Sequence, residues 1–234
     1  MRLVGTFGHA VDMKNSRFTQ IAAAGLLLGP VLFSLADVFR RLVEPADATS
    51  GTSIADAVGQ HQTLWLAAAL LSLLASLCIL PGVAGVVAVA RGRGRRTTLT
   101  GAILLGIGAV ACVGHAVAFY ASYAVYSSAS TPSAAVQAQD DASERYPLLI
   151  VLVVLFMVGM MFGTLTLLVG LWRARRVPFW AVIAALAFVV CGSTDGVVAG
   201  LVGLVAAMAA FTPAALSISG TRLSRRRAAR PTPA

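Results

Sequence analysis

The positive charge of this 234-residue chain collects in every second gap between six long apolar stretches. Fifteen of its 18 lysine and arginine residues fall in one set of alternating segments. These are Arg2, Lys14, Arg17, Arg91, Arg93, Arg95, Arg96, Arg173, Arg175, Arg176, Arg222, Arg225, Arg226, Arg227 and Arg230, and the other set holds only Arg40, Arg41 and Arg145. Because polytopic membrane proteins keep their positive segments in the cytoplasm, the pattern predicts six spans with both termini cytoplasmic.

The composition predicts an all-α polytopic transmembrane bundle. Hydrophobic residues make up 58% of the chain and charged residues 12%, whereas a soluble domain has about 25% charged residues. The predicted organisation is a cytoplasmic segment over 1–19, a bundle over 20–217 and a basic cytoplasmic tail over 218–234. Outer loops are expected at about 42–62 and 127–146. Six spans of about 20 residues leave little chain for a soluble domain.

The net charge of +9 follows from membrane topology and indicates no nucleic-acid partner. We expect the basic segments to contact the anionic lipids of the inner leaflet. Seventeen of the 18 basic residues are arginine, and Ala, Gly and Val are abundant, which is typical of a GC-rich bacterial genome. The predicted location is therefore a bacterial plasma membrane. Cys78, Cys112 and Cys191 all lie in apolar stretches, which excludes a disulfide framework and a metal-type cysteine spacing.

The spans are predicted at 20–39, 63–90, 99–126, 147–172, 178–192 and 196–217. Aromatic residues at their ends fit interfacial belts. Those at the outer ends are Trp65, Tyr120, Tyr123, Tyr126 and Tyr146, and those at the inner ends are Trp172 and Trp180. Each longer outer loop is predicted to carry a short helix, the first capped by Ser53 and the second by Thr131 before Pro132. The hairpins form a weak internal repeat of three helical pairs.

The sequence near the N-terminus suggests two possible processing events. Met13 is followed by Lys14 and could serve as an alternative translation start. Ser34 and Ala36 form a small-x-small pattern after an apolar stretch, which also resembles a signal-peptide cleavage site. Because five more spans follow, an uncleaved first helix is the favoured interpretation.

Small residues predict where the helices pack. In span six they are Gly196, Gly200, Gly203, Ala207, Ala210 and Ala214, and in span four Gly159, Gly163, Thr166 and Gly170. Such lines let two backbones approach closely, which drives helix association in membranes. The first interpretation is packing within the chain, and the alternative is a homo-oligomer or a membrane-protein partner.

His115 is the leading candidate for a ligand or proton role. It lies eleven residues before Tyr126, or about 16 Å from the outer edge of its span. Its helical face also carries Cys112, Ser122 and Tyr126, together with small residues that predict a helix contact. An ionisable group at that depth is costly, so it marks a functional site unless a carbonyl or hydroxyl hydrogen-bonds a neutral imidazole there. Haem is not predicted, because His9 and His61 lie at other depths.

Asp37 is followed by Arg40 and Arg41 at the outer end of span one. The spacing predicts an interfacial ion pair in contact with water. A proton or cation site would require Asp37, His115 and Asp195 to converge, and their different depths argue against it.

No catalytic residue, cofactor or metal site is predicted. The chain has no Walker or dinucleotide-binding glycine loop, no Gly-x-Ser-x-Gly elbow and no His-Glu-x-x-His motif. The chain resembles the small six-helix integral membrane proteins of unknown function found in actinobacteria. The similarity lies in Gly25–Pro30, in Leu80 and Pro81 before an arginine-rich turn, and in Gly101. The resemblance implies a plasma-membrane location and no assigned activity.

Two functions follow from these features. The first is a non-enzymatic accessory or interaction subunit that acts through its small-residue helix faces. The alternative is a small permease or a lipid or small-molecule binder with a site near His115.

Overall fold

The described part of the chain is entirely helical. The computed structural model describes the backbone of residues 4–44, 50–129 and 131–228, and side chains over 17–44, 50–129 and 131–220. Eight helices and no strands occur in these ranges. They are α1 (Val4–Val43), α2 (Gly51–Gln60), α3 (Gln62–Val89), α4 (Arg95–Ser128), α5 (Ser133–Ser143), α6 (Pro147–Arg173), α7 (Phe179–Gly192) and α8 (Val197–Ala228). The all-α class is confirmed. The side chains of His9 and of the basic residues from Arg222 onward lie outside the described residues.

Five helices are long and apolar enough to cross a membrane. They are Arg17–Val43, Gln62–Val89, Arg95–Ser128, Pro147–Arg173 and Val197–Gly220, with mean hydropathy between 2.0 and 2.8. The remaining predicted span, α7, is a shorter apolar helix of 14 residues. At 1.5 Å per residue it is about 21 Å long, less than the roughly 30 Å of a bilayer core. The fold therefore has the character of an integral membrane protein.

The five long helices and α7 are arranged as a ring in the order α6, α4, α3, α1, α8 and α7. The most extensive packing joins α4 to α6 and α1 to α3, while α6 makes few contacts with α7 and α8. A Cβ built on Gly108 of α4 would lie 2.6 Å from the backbone nitrogen of Met160 in α6. Glycine is needed there because any side chain would force the two backbones apart. Packing around the ring is thus closest between α4 and α6 and sparsest between α6 and α7.

The ends of α7 are tied to opposite ends of the bundle. α1 and α3 are antiparallel, since Gly25 approaches Gly82 and Gly29 approaches Ala75. Arg41, near the C-terminal end of α1, donates to the backbone oxygen of Cys191 at 3.0 Å. Just before α7, Arg176 donates to the oxygen of Val89 at the C-terminal end of α3, at 2.8 Å. Together with its flanking residues, α7 therefore runs the height of the α1–α3 pair.

The short helices α2 and α5 cover one end of α4. An apolar cluster beneath them, here called the outer cluster, contains Val43, Ala55, Val58, Trp65, Ala68, Ala116, Tyr120, Tyr123 and Val136. The hydroxyl of Tyr123 donates to Asp140 of α5 at 2.8 Å. Both predicted loop helices are present, but their predicted starts were wrong. α2 is capped by Ser50, whose Oγ accepts from the nitrogen of Ser53, and Pro132 rather than Thr131 is the N-cap of α5.

The prediction of an aromatic belt was wrong for part of the set. Tyr146, Trp172 and Trp180 are exposed on the surface of the bundle. Trp65 is instead buried in the outer cluster, where its Nε1 donates to the oxygen of Tyr120 at 3.0 Å. Tyr120 and Tyr123 are buried too, because α2 and α5 cover a region that the sequence pattern assigns to the membrane surface.

Candidate functional site

The ring encloses a cavity of about 290 Å³, here called the central cavity. All six helices of the ring contribute side chains to it. One end carries Asp37, Arg40 and Glu44, whereas the other is apolar and includes Met160 and Met161. Along α1, residues 33 to 44 line it, which corresponds to about 16 Å of helix. The cavity is therefore amphipathic along its length, and its volume is near the lower limit for small-molecule sites.

His115 faces this cavity from α4. Its ring stacks on Phe156 of α6, with centroids 5.0 Å apart and planes 17° apart, and on Phe119, with centroids 5.8 Å apart. Among the described residues, its imidazole nitrogens have no hydrogen-bond partner. The alternative of an imidazole held by a carbonyl or hydroxyl is thus not what the structure forms. Stacking fixes the ring and leaves its polar atoms available to whatever fills the cavity.

A four-residue ionic cluster closes the polar end of the cavity. The Oδ1 atom of Asp37 accepts from Arg40 at 2.9 Å and its Oδ2 atom accepts from the Nε of Arg41 at 2.7 Å. Arg40 also donates to Glu44, the residue that follows the C-terminal end of α1. The spacing of three and four residues along one helix places all four groups together.

Arg41 is buried rather than directed to water, in contrast to the predicted interfacial pair. Its residue exposure is 7%, and its guanidinium donates to the backbone oxygens of Thr194, Gly196 and Cys191. These carbonyls belong to the C-terminal end of α7 and the following turn. A cation is favourable at that position because a helix carries partial negative charge at its C-terminus. Arg41 therefore joins the polar end of the cavity to α7.

The structure brings together two of the three groups that we expected to stay apart. Asp37 and His115 both line the central cavity. The lining residues on α1 and just beyond it run from Phe33 to Glu44, about 16 Å, so groups at different depths can line the same cavity. Asp195 is exposed in the α7–α8 turn and does not line the cavity. The convergence is therefore partial.

The other ligand candidates divide between two levels of α4. Cys112 lines the cavity together with His115. Ser122 and Tyr126 are not among its lining residues, so the structure does not place them with His115 in this cavity. Ser122 donates to the oxygen of Ala118 in its own helix at 2.6 Å, and Tyr126 packs on Tyr123 within the region that α2 and α5 cover. They share a helical face with His115 but lie two and three turns further along it.

The cavity is least enclosed on its α6 side. Met157 of α6 lines it and is 38% exposed. The preceding half of α6 is exposed on most of its faces, as shown by Leu148, Val151 and Val154. The α6 edge, where contacts with α7 and α8 are sparse, is therefore the most loosely packed side of the ring.

Most of the glycines predicted to pack helices lie against another helix of the same chain. In α6, a Cβ built on Gly159 would meet Gly108, one on Gly163 would lie 2.8 Å from the Cα of Leu105, and one on Gly170 would lie 2.6 Å from the Oγ1 of Thr98. All three therefore face α4.

The small residues predicted to form a line in α8 also lie against other helices of the chain, with one exception. A Cβ on Gly200 would lie 3.2 Å from Val38 of α1, and one on Gly203 would lie 3.3 Å from Cys191 of α7. Ala207 and Ala210 are fully buried. Gly196 makes no such close contact. It precedes α8 with φ +90°, and a Cβ there would meet nothing within 4 Å. Its role is to allow a left-handed turn, which other residues adopt at a cost.

Metal binding has no structural support in the described residues. They contain no group of three or more His, Cys, Asp or Glu side chains placed to hold a metal ion. Cys112 and Cys191 line the cavity as free thiols, whereas Cys78 lies outside it. Met160 and Met161 share the cavity with His115, where their flexible side chains suit a gap-filling role.

Several cavity residues were missed by sequence reasoning. Phe33, Phe156 and Phe188 supply aromatic walls, and Glu44 supplies the second carboxylate. On α1, Phe33, Asp37, Arg40 and Glu44 recur at intervals of four, three and four, a helical-face signal that could have identified them. Phe156 and Phe188 gave no such signal, because their neighbours are uniformly apolar.

The fold and the cavity define a helical membrane-type bundle with an internal amphipathic cavity. Comparison with protein-family models, with curated proteins and with solved structures finds no match to this chain. Any functional assignment therefore depends on the cavity.

Proposed function

We propose that the chain is a six-span protein of a bacterial plasma membrane with both termini in the cytoplasm. The arginine distribution supports this orientation. The two ends of α7 support a sixth crossing, because Arg176 and Arg41 tie them to opposite ends of the α1–α3 pair. The three helical hairpins and the contact of the basic inner segments with anionic lipids belong to the same proposal.

Within that membrane, the proposed function is non-catalytic binding or passage of a small, largely apolar molecule in the central cavity. The observation that carries it is His115, a polar ring held by Phe156 and Phe119 in the cavity without a hydrogen-bond partner in the described chain. Because the imidazole has no hydrogen-bond partner in the described chain, a ligand or ordered water in the cavity that pairs with it would gain a hydrogen bond there. The amphipathic lining and the sparse packing between α6 and its neighbours α7 and α8 support a ligand that enters from the bilayer.

An accessory or interaction subunit is the second candidate. The lines of small residues give this candidate little support, because these residues face other helices of the same chain. The observation that most favours an interaction subunit is the exposed N-terminal half of α6, where Leu148, Val151 and Val154 form an apolar surface. A homo-oligomer or a membrane-protein partner would cover that face.

Native mass spectrometry of the protein in mild detergent tests the first candidate. We expect the wild type to carry a small molecule that His115→Ala loses while remaining folded. His61→Ala is the matched control, because His61 is exposed at the α2–α3 junction and does not line the cavity. A species of unchanged mass in wild type and His115→Ala would contradict the proposal, and a defined oligomer in both would favour the second candidate.

A further inference from the structure

Resting on the proposed binding function, we infer that the central cavity selects a small organic cation with an apolar body, such as an aryl or alkyl ammonium. The chemistry of the polar end and the chemistry of the walls lead to this ligand class independently. The volume of about 290 Å³ limits the occupant to about one aromatic ring with a compact head group.

The polar end has hydrogen-bond acceptors to spare but no free guanidinium nitrogen. Arg40 donates from its Nε and from one terminal nitrogen to Asp37, and from the other to Glu44. Arg41 donates from its Nε to Asp37 and from both terminal nitrogens to backbone oxygens. Every nitrogen of both guanidinium groups is thus already paired with a carboxylate or a carbonyl oxygen. Among the described residues, Glu44 accepts from Arg40 alone, through its Oε2 atom, so its Oε1 atom remains open to a second cationic group.

The charge at this end also favours a cation. The cavity is lined by two carboxylates, Asp37 and Glu44, and by one guanidinium, that of Arg40. The second guanidinium, of Arg41, lies behind the lining and is engaged with the carbonyl end of α7. That helix end carries partial negative charge, as does every helix C-terminus. A cationic head placed beside Glu44 would thus meet more negative than positive charge.

The walls suit the same ligand. Five aromatic side chains line the cavity: Phe33, Phe119, Tyr120, Phe156 and Phe188. A cation held against aromatic ring faces is attracted by their quadrupoles, and most strongly where water is excluded. Met157, Met160 and Met161 lie deeper and adapt to apolar bodies of different shapes. An ammonium at the level of Asp37 and Glu44 would place its apolar body among these groups.

The test uses three probes that share a benzyl body and differ in the charge of a tetrahedral head. They are benzyltrimethylammonium, its neutral carbon isostere neopentylbenzene, and phenylmethanesulfonate. Binding to the full chain in detergent is measured by titration calorimetry against empty micelles. We expect the ammonium to bind at least about fivefold more tightly than the neutral probe, as for a partly exposed charge pair, and the sulfonate to bind most weakly.

Variants then locate the effect. Glu44→Gln is expected to weaken ammonium binding by about fivefold and to leave the neutral probe unchanged. Glu144→Gln is the matched control, because Glu144 is exposed at the end of α5 and does not line the cavity. Phe156→Leu should also weaken the ammonium more than the isostere, which keeps the test valid if Glu44→Gln fails to fold.

Equal or tighter binding of the neutral or anionic probe would overturn the cation assignment while leaving the proposed binding function intact. No binding by any of the three would also overturn it. The proposed function fails separately, if the wild type and His115→Ala carry the same species in native mass spectrometry.

Discussion

Arg41 links two distant parts of the chain through one buried charge. It pairs with Asp37 in α1 and donates to three backbone oxygens at the end of α7. Removing one partner of a buried ionic network leaves the others without compensation, which costs far more than the loss of a surface pair. The position of the α7–α8 turn therefore depends on this side chain.

Replacing Arg41 by methionine is expected to destabilise the protein by about 2–4 kcal/mol, because three carbonyls and part of Asp37 lose their donor. Denaturant unfolding in detergent micelles measures the change. Arg145→Met is the control, since Arg145 is exposed at the outer end of α5, and a change within about 0.5 kcal/mol is expected there. Equal destabilisation of the two variants would contradict the role given to Arg41.

At the same scale, the candidate site was only partly predictable. His115 and Cys112 were identified from depth and helical face, and both line the cavity. Ser122 and Tyr126 share that face but lie at another level, because a face specifies direction around a helix and not position along its partners. Neither the stacking of His115 on Phe156 nor the inward direction of Arg41 follows from spacing within one helix. Both depend on which helices are neighbours.

The pairing of α4 with α6 shows how small residues determine the packing of the bundle. Gly101 and Gly108 of α4 face α6, and Gly159, Gly163 and Gly170 of α6 face α4. The sequence predicted the α6 line and packing within the chain. It could not identify α4 as the partner, since every apolar helix here offers glycines or alanines. The start of α2 was misplaced by one turn because Ser50 and Ser53 are both acceptable caps.

Two glycines in α4 should respond oppositely to the same substitution. Gly108→Ala is expected to destabilise the bundle, because the new Cβ would lie 2.6 Å from the nitrogen of Met160. Gly106→Ala should stabilise it by about 0.5–1 kcal/mol, because alanine lowers the entropy cost of helix formation. A Cβ at Gly106 would meet only the Cγ1 of Val83, at an ordinary 3.6 Å.

Thermal unfolding of both variants in one detergent measures this difference. Equal shifts of the same sign would show that α4 and α6 do not approach as described.

For the molecule as a whole, the number of crossings depends on α7. With 14 residues it is too short to qualify as a span by length, yet its two ends lie at opposite ends of the α1–α3 pair. Charge alternation predicted six spans, and the structure gives five long apolar helices with this shorter one between them. The predicted bounds of 178–192 already gave a span about as short as α7, so the sequence indicated both its position and its length.

Labelling with a membrane-impermeant maleimide in intact cells tests that crossing. In a background with the native cysteines replaced, Asp195→Cys should react from outside, as should Gln139→Cys in α5. Arg93→Cys, in the turn between α3 and α4, should react only after the membrane is opened. Asp195→Cys behaving like Arg93→Cys would contradict a sixth crossing.

The most direct test of the binding site uses the native cysteines. Cys112 and Cys191 line the central cavity and Cys78 does not, so Cys78 is an internal reference. The measurement is the rate of alkylation by N-ethylmaleimide at each cysteine in washed protein in nanodiscs, with and without benzyltrimethylammonium or neopentylbenzene. Slower reaction at Cys112 and Cys191 with either probe, and an unchanged rate at Cys78, is the predicted result. Unchanged rates at all three cysteines with both probes would contradict a ligand site around His115.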